Sequence, residues 1–398
     1  MDSQTMNTAT KAHGMDGTLV EPDWPPLTLD EVRALLAQYS QCDEPVAILS
    51  MSPRPFSAAS VVSTRTGRAF VKRHHRSVRD AEGLREEHRF IAHLRAHGAS
   101  VPRVLAATSG QTAIEMRAWS YEVHEAPNAV DLYKDAVSWT PFRIAAHAHS
   151  AGQALARLHV AAEGYDAPSR KPRPLVASFT IFAATDPAAQ LNRYLAQRRA
   201  LAGDSSARED SSHALELLAP FHAELLPLLP SLHPLWTHND LHASNLLWSS
   251  AGQDAHAVAV IDFGLADRTN AVHDLAHAIE RNIVEWLALA GPSPLVQRVP
   301  VHLDRLRALL AGYESVRPLS RAEAAALAPL TALCHAEFAL SEADYFRGVL
   351  HSDEKARLAS HDYLAGHAQW FRSADGTKLL DAIRAWSTGQ KRTERHAR

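Results

Sequence analysis

The chain has 398 residues, 46% of them hydrophobic, which is enough apolar material for two lobes and a substantial core. A formal net charge of −3 supplies no field for nucleic acid or an anionic membrane, so neither is expected as a partner. Two cysteines, Cys42 and Cys334, lie far apart and suggest neither a disulfide framework nor a metal motif, which fits a cytoplasmic protein.

Residues 1–27 read as a flexible tail with no basic start and apolar run, so no signal peptide is expected. Leu29 to Tyr39 has helical spacing. Val46 to Met51, Ser57 to Thr66 and Ala69 to His74 read as strands, the last two joined by a turn through Gly67. A long helix follows from about Arg79 to His97 and ends at Gly98. Two further strands, Ala113 to Met116 and Ser120 to His124, complete a small, mostly antiparallel lobe over 28–125. The break Ala126-Pro127-Asn128 opens a helical remainder over 126–372. Its helices are placed at Arg143–Ala162, His213–Leu226, Val272–Ala290, Val301–Tyr313, Arg321–Phe346 and Glu354–Phe371. Residues 373–398 are polar and basic and are expected to fray. The apolar stretch near Leu215 to Leu235 is broken by four prolines, so no membrane span is expected. The 24 histidines are scattered and are assigned to solvated faces.

The densest chemical signal is His238-Asn239-Asp240-Leu241-His242-Ala243-Ser244-Asn245, followed by the apolar strand Leu246-Leu247-Trp248 and then by Val260-Ile261-Asp262-Phe263-Gly264. Phosphoryl transfer requires a group that takes the acceptor's proton and ligands that hold cations against the phosphates. A carboxylate five residues before an amide supplies both from one tight loop. Asp240 is the candidate base, and Asn245 is a candidate metal ligand. The short β-branched run Ala257 to Ile261 delivers a second carboxylate, Asp262, as the other ligand. Alone, each piece reads as an ordinary turn, cap or strand end. Their order and spacing together favour catalysis.

These residues resemble the aminoglycoside phosphotransferase and choline kinase superfamily, whose fold is similar to that of protein kinases. The resemblance implies an α+β, bilobal, protein-kinase-like fold that uses ATP and Mg2+. It covers about residues 45–290 and is dense only over 236–276. Asn239 stands where family members usually carry glycine, as in choline and ethanolamine kinases, whereas the remainder of the loop is closer to the stress-response branch. By resemblance, Lys72 at the end of Ala69-Phe70-Val71 is the phosphate lysine. Glu87, seven residues before Leu94, is its partner, with Glu86 as the spare. Ser57 and Ser60 lie in the segment that covers the phosphates, which has no glycine. His238 orients the loop, His242 either neutralises charge as a protonated ring or makes a structural hydrogen bond, and Asp274 braces the loop. The other charges around the long helix, Arg79, Glu82 and Arg85, are assigned to its wet face.

The expected activity is transfer of a phosphoryl group to a hydroxyl of a small molecule. An aminoglycoside would need acids such as Glu280, Glu285, Glu337, Glu342 and Asp344. A choline-like acceptor would need an aromatic cage, for which Trp286, Tyr345, Phe346 and Trp370 are candidates. An amino-alcohol would need both signs of charge, and Arg281 with Glu280 offers them. A protein serine/threonine kinase of the stress-response type and a nucleotide-binding pseudokinase are the alternatives.

Overall fold

The computed structural model describes residues 22–289 and 299–396. Its sheet contains β1 (Pro45–Met51), β2 (Ala58–Thr64), β3 (Arg68–His75), β4 (Ala113–Met116) and β5 (Trp119–Glu125). Every pairing is antiparallel, in the order β1-β2-β3-β5-β4. Because side chains alternate across a strand, each β3 residue is committed to one face. Val71 joins Val62 and Val123 in an apolar cluster with Val32, Leu35 and Leu36 of helix α1 (Leu29–Leu36). Lys72 therefore falls on the opposite face, directly opposite Ala59 of β2 and Glu122 of β5.

Helix α1 starts in a capping box in which Thr28 accepts from the Glu31 amide at 3.2 Å. Helix α2 (Ala81–Ala96) is capped by Asp80, which accepts from the Gly83 amide at 2.7 Å. It buries Leu84, Phe90, Ile91 and Leu94, and the chain leaves it through Gly98 at φ 83°.

The remainder is helical around one large apolar core, with two short hairpin-like pairs that carry the site. Strands β6 (Pro234–Thr237) and β9 (Asp267–Asn270) pair antiparallel, as do β7 (Leu246–Trp248) and β8 (Ala257–Val260). The loop 238–245 joins β6 to β7, and Asp262 follows β8. Helix α3 (Ala145–Ala162) is buried along most of its length. The helix Ala271–Ile283 is buried at all thirteen positions.

Several boundaries differ from the sequence reading for physical reasons. The expected helix 272–290 ends at Ile283, after which Val284 bridges to Val301, and Ala290 lies outside the described residues. The stretch 321–346 is two helices that meet at Cys334, Arg321–Leu333 and His335–Gly348. That stretch is long and apolar enough to cross a membrane by composition, but its apolar window is almost wholly buried inside the protein. Residues 374–396, expected to fray, form a helix because Leu379, Leu380 and Ile383 find a core to bury in. Of the expected flexible tail, residues 1–21 lie outside the description, while Asp23 pairs with Lys355 at 2.8 Å and Trp24 stacks on His75.

Candidate active site

The loop 238–245 is shaped by one acid. Asp274, in the first turn of the 271–283 helix, accepts from the His238 amide through Oδ2 and from the Asn239 amide through Oδ1, both at 2.8 Å. His159 of α3 contacts the same Oδ2 at 3.0 Å and Tyr313 Oη at 2.8 Å. Burial pushes the Asp274 carboxyl up, but these hydrogen bonds outweigh it and hold it below the usual range. Asp274 thus stands where a loop brace is expected. His159 supports it.

Asn239 has φ 60°, a left-handed conformation that suits glycine and that asparagine tolerates better than most residues. Its Oδ1 accepts from the hydroxyls of Thr237 at 2.9 Å and Thr269 at 3.1 Å, which offsets the cost of the conformation. His238 is fully buried. Its Nδ1 accepts from the Asp240 amide at 3.2 Å, leaving Nε2–H to donate to the Ile261 carbonyl at 2.9 Å. Both ring nitrogens are spent on backbone, an arrangement that suits holding the loop rather than carrying a proton.

Asp240, Asn245 and Asp262 line one cavity of about 430 Å³. Asn245 Nδ2 donates to the Asp240 carbonyl at 2.9 Å and to Asp240 Oδ2 at 3.0 Å, so that of the Asn245 side chain only Oδ1 could hold a cation. The Ile261 amide donates to the Asn245 carbonyl at 3.0 Å, joining the loop to the chain that bears Asp262. Arg281 Nη1 lies 2.6 Å from Asp240 Oδ1. Burial raises the Asp240 carboxyl above its ordinary range, and Arg281 is the largest opposing influence.

Lys72 Nζ lies 2.7 Å from Asp262 Oδ1. Burial opposes charge on both groups, yet each stabilises the other. The ammonium is held above its usual range and the carboxyl well below. Asp262 has φ 63°, and Phe263 packs edge-on against His238 at 4.8 Å and against Phe90 of α2 at 5.9 Å. Two oxygen ligands, Asp262 and Asn245 Oδ1, beside a lysine form a donor set that fits a hard divalent cation such as Mg2+.

Three sequence assignments change, and of the two readings of His242 the structural one is favoured. Glu87 does not pair with Lys72; its Oε1 takes Arg79 Nε at 2.8 Å and Arg170 Nη2 at 2.7 Å. Glu86 meets Arg170 and Arg173 instead. Arg79, read as wet-face, is buried and also donates to the carbonyls of Leu175 and Gly264, so it ties α2 to the turn after Asp262. Arg170 reaches Glu87 and the Gly264 carbonyl from a loop, and local spacing carries no signal of that contact. Ser60 pairs with Val71 and therefore sits on the α1 face of the sheet, away from Lys72, whereas Ser57 lines the cavity. His242 lines the cavity too, but burial first, then Arg54 and Arg281, hold it far below its ordinary pKa, so it is neutral.

The acceptor candidates also sort by position. Glu342 lines the cavity. Glu280 is buried against His367 at 2.8 Å, Glu337 accepts from the Ser178 hydroxyl at 2.6 Å and the Ile181 amide at 2.5 Å, and Glu285 contacts His302 at 2.6 Å. Asp344 faces Arg198 at 3.9 Å. Phe346 lines the cavity, but Trp286 and Trp370 pack in the core and Tyr345 donates to Asp23 at 3.0 Å. Arg281 does line it, its guanidinium 4.7 Å from the Trp139 ring and 4.8 Å from the Phe338 ring. Arg54, in the glycine-free segment between β1 and β2, lines it as well and donates to Ser138 at 3.1 Å.

The sequence pattern of the phosphotransferase enzyme family (APH) matches residues 55–319, two thirds of the chain and all of the loop, lysine and carboxylates above. The chain belongs to this family. It is a phosphotransferase that acts on hydroxyl groups. Its fold is similar to that of the microcompartment-associated aminopropanol kinase, with a TM-score of 0.56 and 20% identity over 88% of this chain and 99% of that one. It is also similar to amicoumacin kinase in complex with AMP-PNP, Ca2+ and Ami (TM-score 0.50, 16% identity, 90% and 92% covered). Spectinomycin phosphotransferase in complex with ADP gives a TM-score of 0.50 at 10% identity, with 90% and 98% covered. No curated protein sequence matches the chain. At these identities the likeness is one of fold. Arg281 and Glu342 line the same cavity as the loop carboxylates.

Proposed function

We propose that the protein transfers the γ-phosphoryl group of ATP, with Mg2+, to the hydroxyl of a small molecule that carries both a cationic and an anionic group, in the manner of an amino-alcohol acid. The observation that carries this reading is the sharing of one cavity by Lys72, Asn245 and Asp262 with Asp240, Arg281 and Glu342. A pocket of about 430 Å³ is of the size that takes a small molecule, whereas a protein segment needs an extended groove. The AMP-PNP and ADP bound to two proteins of similar fold support a nucleotide donor.

In this reading Lys72 and Arg54 position the phosphates, and Asn245 and Asp262 hold the cation. Bound Mg2+ would neutralise charge on the phosphates. Asp240 takes the proton from the acceptor hydroxyl, and Arg281 keeps it ionised in a buried setting. Asn245 fixes the carboxylate by its amide, and the neutral His242 lends a hydrogen bond rather than a charge. Arg281, flanked by Trp139 and Phe338, orients the acceptor's anionic group, and Glu342, whose carboxyl burial lifts to about 8, gives up its proton as the acceptor's cationic group binds beside it. The aminoglycoside and choline readings lose most of their residues to the core.

A nucleotide-consumption screen over hydroxylated amino acids, neutral amino-alcohols, choline, aminoglycosides, sugars and a generic protein substrate tests the reading. Turnover is expected to be highest with the hydroxylated amino acids. Turnover confined to aminoglycosides or to the protein would overturn it.

A further inference from the structure

The expectation that the histidines lie on solvated faces fails most clearly in the sheet. There, three imidazoles converge on one carboxylate. Glu122 Oε2 lies 2.9 Å from His88 Nε2 and 2.8 Å from His124 Nε2, while Glu122 Oε1 lies 3.0 Å from His74 Nε2. His88 belongs to α2, and Glu122 and His124 share one face of β5 two residues apart. The ligand atoms of His88, Glu122 and His124 all lie within 4.8 Å of one another.

We propose that His88, Glu122 and His124 bind a divalent late transition-metal cation of the Zn2+ type, which ties helix α2 to strand β5. Two imidazoles and one carboxylate form a common zinc ligand set, with Zn–N and Zn–O distances of roughly 2.0–2.2 Å. Ligand atoms on one such ion sit about 3 Å apart or a little more. The two imidazole nitrogens already approach the same carboxylate oxygen at nearly that spacing. A small adjustment places an ion where the Nε2 protons lie in the metal-free protein, each neutral ring then carrying its single proton on Nδ1 instead.

The surroundings are those of a built site. His88 Nδ1 lies 2.9 Å from Thr112 Oγ1. In the metal-bound tautomer His88 donates Nδ1–H to that hydroxyl and turns the lone pair of Nε2 toward the ion. His74 holds the other carboxylate oxygen and so fixes which oxygen faces the imidazole pair. The His88 and Glu122 side chains are 3% and 5% exposed, whereas that of His124 is 13% exposed and gives a route for the ion and for a water as a further ligand. The site is distinct in chemistry from Asn245 and Asp262, whose oxygens suit Mg2+; imidazole favours zinc, copper or nickel. It is also independent of the acceptor assignment.

The test uses the full chain. After chelator treatment, incubation with Zn2+ and desalting, the wild type is expected to retain one equivalent and to gain several degrees in Tm. Mg2+ at the same concentration is expected not to displace it. His124→Gln, at the partly exposed ligand, retains a hydrogen-bonding group toward Glu122 and is expected to fold while losing both the zinc and the Tm gain. Asp262→Asn is expected to retain both, which separates this ion from one at the phosphates. X-ray absorption of the zinc-loaded wild type is expected to show two imidazoles and an oxygen ligand, a readout that needs no variant. Absence of retained zinc, equal retention by His124→Gln, or a spectrum without imidazole scattering would overturn the proposal.

Discussion

Arg281 Nη1 stands 2.6 Å from Asp240 Oδ1, so the candidate base is ion-paired before any acceptor arrives. Burial works to neutralise Asp240, and the guanidinium is the largest influence against it. Removing the cation in Arg281→Met is expected to raise the Asp240 pKa further. A base works only when ionised, so the acidic limb of the kcat–pH profile is expected to move to higher pH. Below the new pKa, kcat falls about tenfold for each pH unit that the limb moves, whereas well above it only the smaller loss from acceptor orientation remains. Breaking a buried pair also costs about 3–5 kcal/mol of stability, which thermal melting would register. A kcat lowered equally at every pH would mean that Arg281 does not act through Asp240.

The two carboxylates on the cavity wall should fail in different ways. Asp240→Asn keeps the shape and the Asn245 contact but removes the base; turnover is expected to fall by roughly 10²–10⁴-fold with nucleotide Kd little changed. Asp262→Ala removes a cation ligand and the partner of Lys72, so Mg2+-dependent nucleotide binding and turnover are expected to fall together. Isothermal titration with and without Mg2+ separates the two. Normal turnover in Asp240→Asn would remove the base assignment.

What was legible in the sequence is what depends on local spacing. A base five residues before an amide must share its loop, and a β-branched run must end near the same place, so Asp240, Asn245 and Asp262 could be brought together. Strand alternation was legible for Lys72, and the same alternation turns Ser60 to the other face of the sheet. The partners of Glu87 were not legible, because Arg170 approaches from 83 residues away and Arg79 looks like any surface charge until its burial is known. Asn239 could have been understood in advance as a residue able to take the glycine's left-handed conformation. The acceptor side was the least legible. Acids and aromatics on buried helices look alike whether they face the core, as Glu280 and Trp286 do, or the cavity, as Glu342 does.

Glu87 offers a test of how α2 is coupled to the site. Its carboxylate is shared by Arg79 and Arg170, which also hold the Gly264 carbonyl beside Asp262. Glu87→Gln leaves two buried guanidinium groups short of a counter-charge. The expected result is a stability loss of about 3–5 kcal/mol with nucleotide Kd changed less than about threefold, since Lys72 is held by Asp262. Denaturant unfolding and nucleotide titration report the two quantities separately. A large rise in Kd with unchanged stability would instead restore Glu87 as the partner of Lys72 in the nucleotide-bound enzyme.

Glu280 gives the clearest dependence on pH. Burial lifts its carboxyl from 4.5 to about 8, with Arg281 pulling weakly the other way. In the unfolded chain the proton leaves near 4.5, whereas the folded protein keeps it until about 8. The folded state therefore binds the extra proton across that window, and stability falls as pH rises through it. Glu280→Gln is uncharged throughout and can still meet His367, now 2.8 Å from Glu280 Oε1. The variant is expected to melt close to the wild type at pH 5 and at a progressively higher temperature than the wild type up to pH 8. Parallel melting curves across that range would show that Glu280 does not carry this proton.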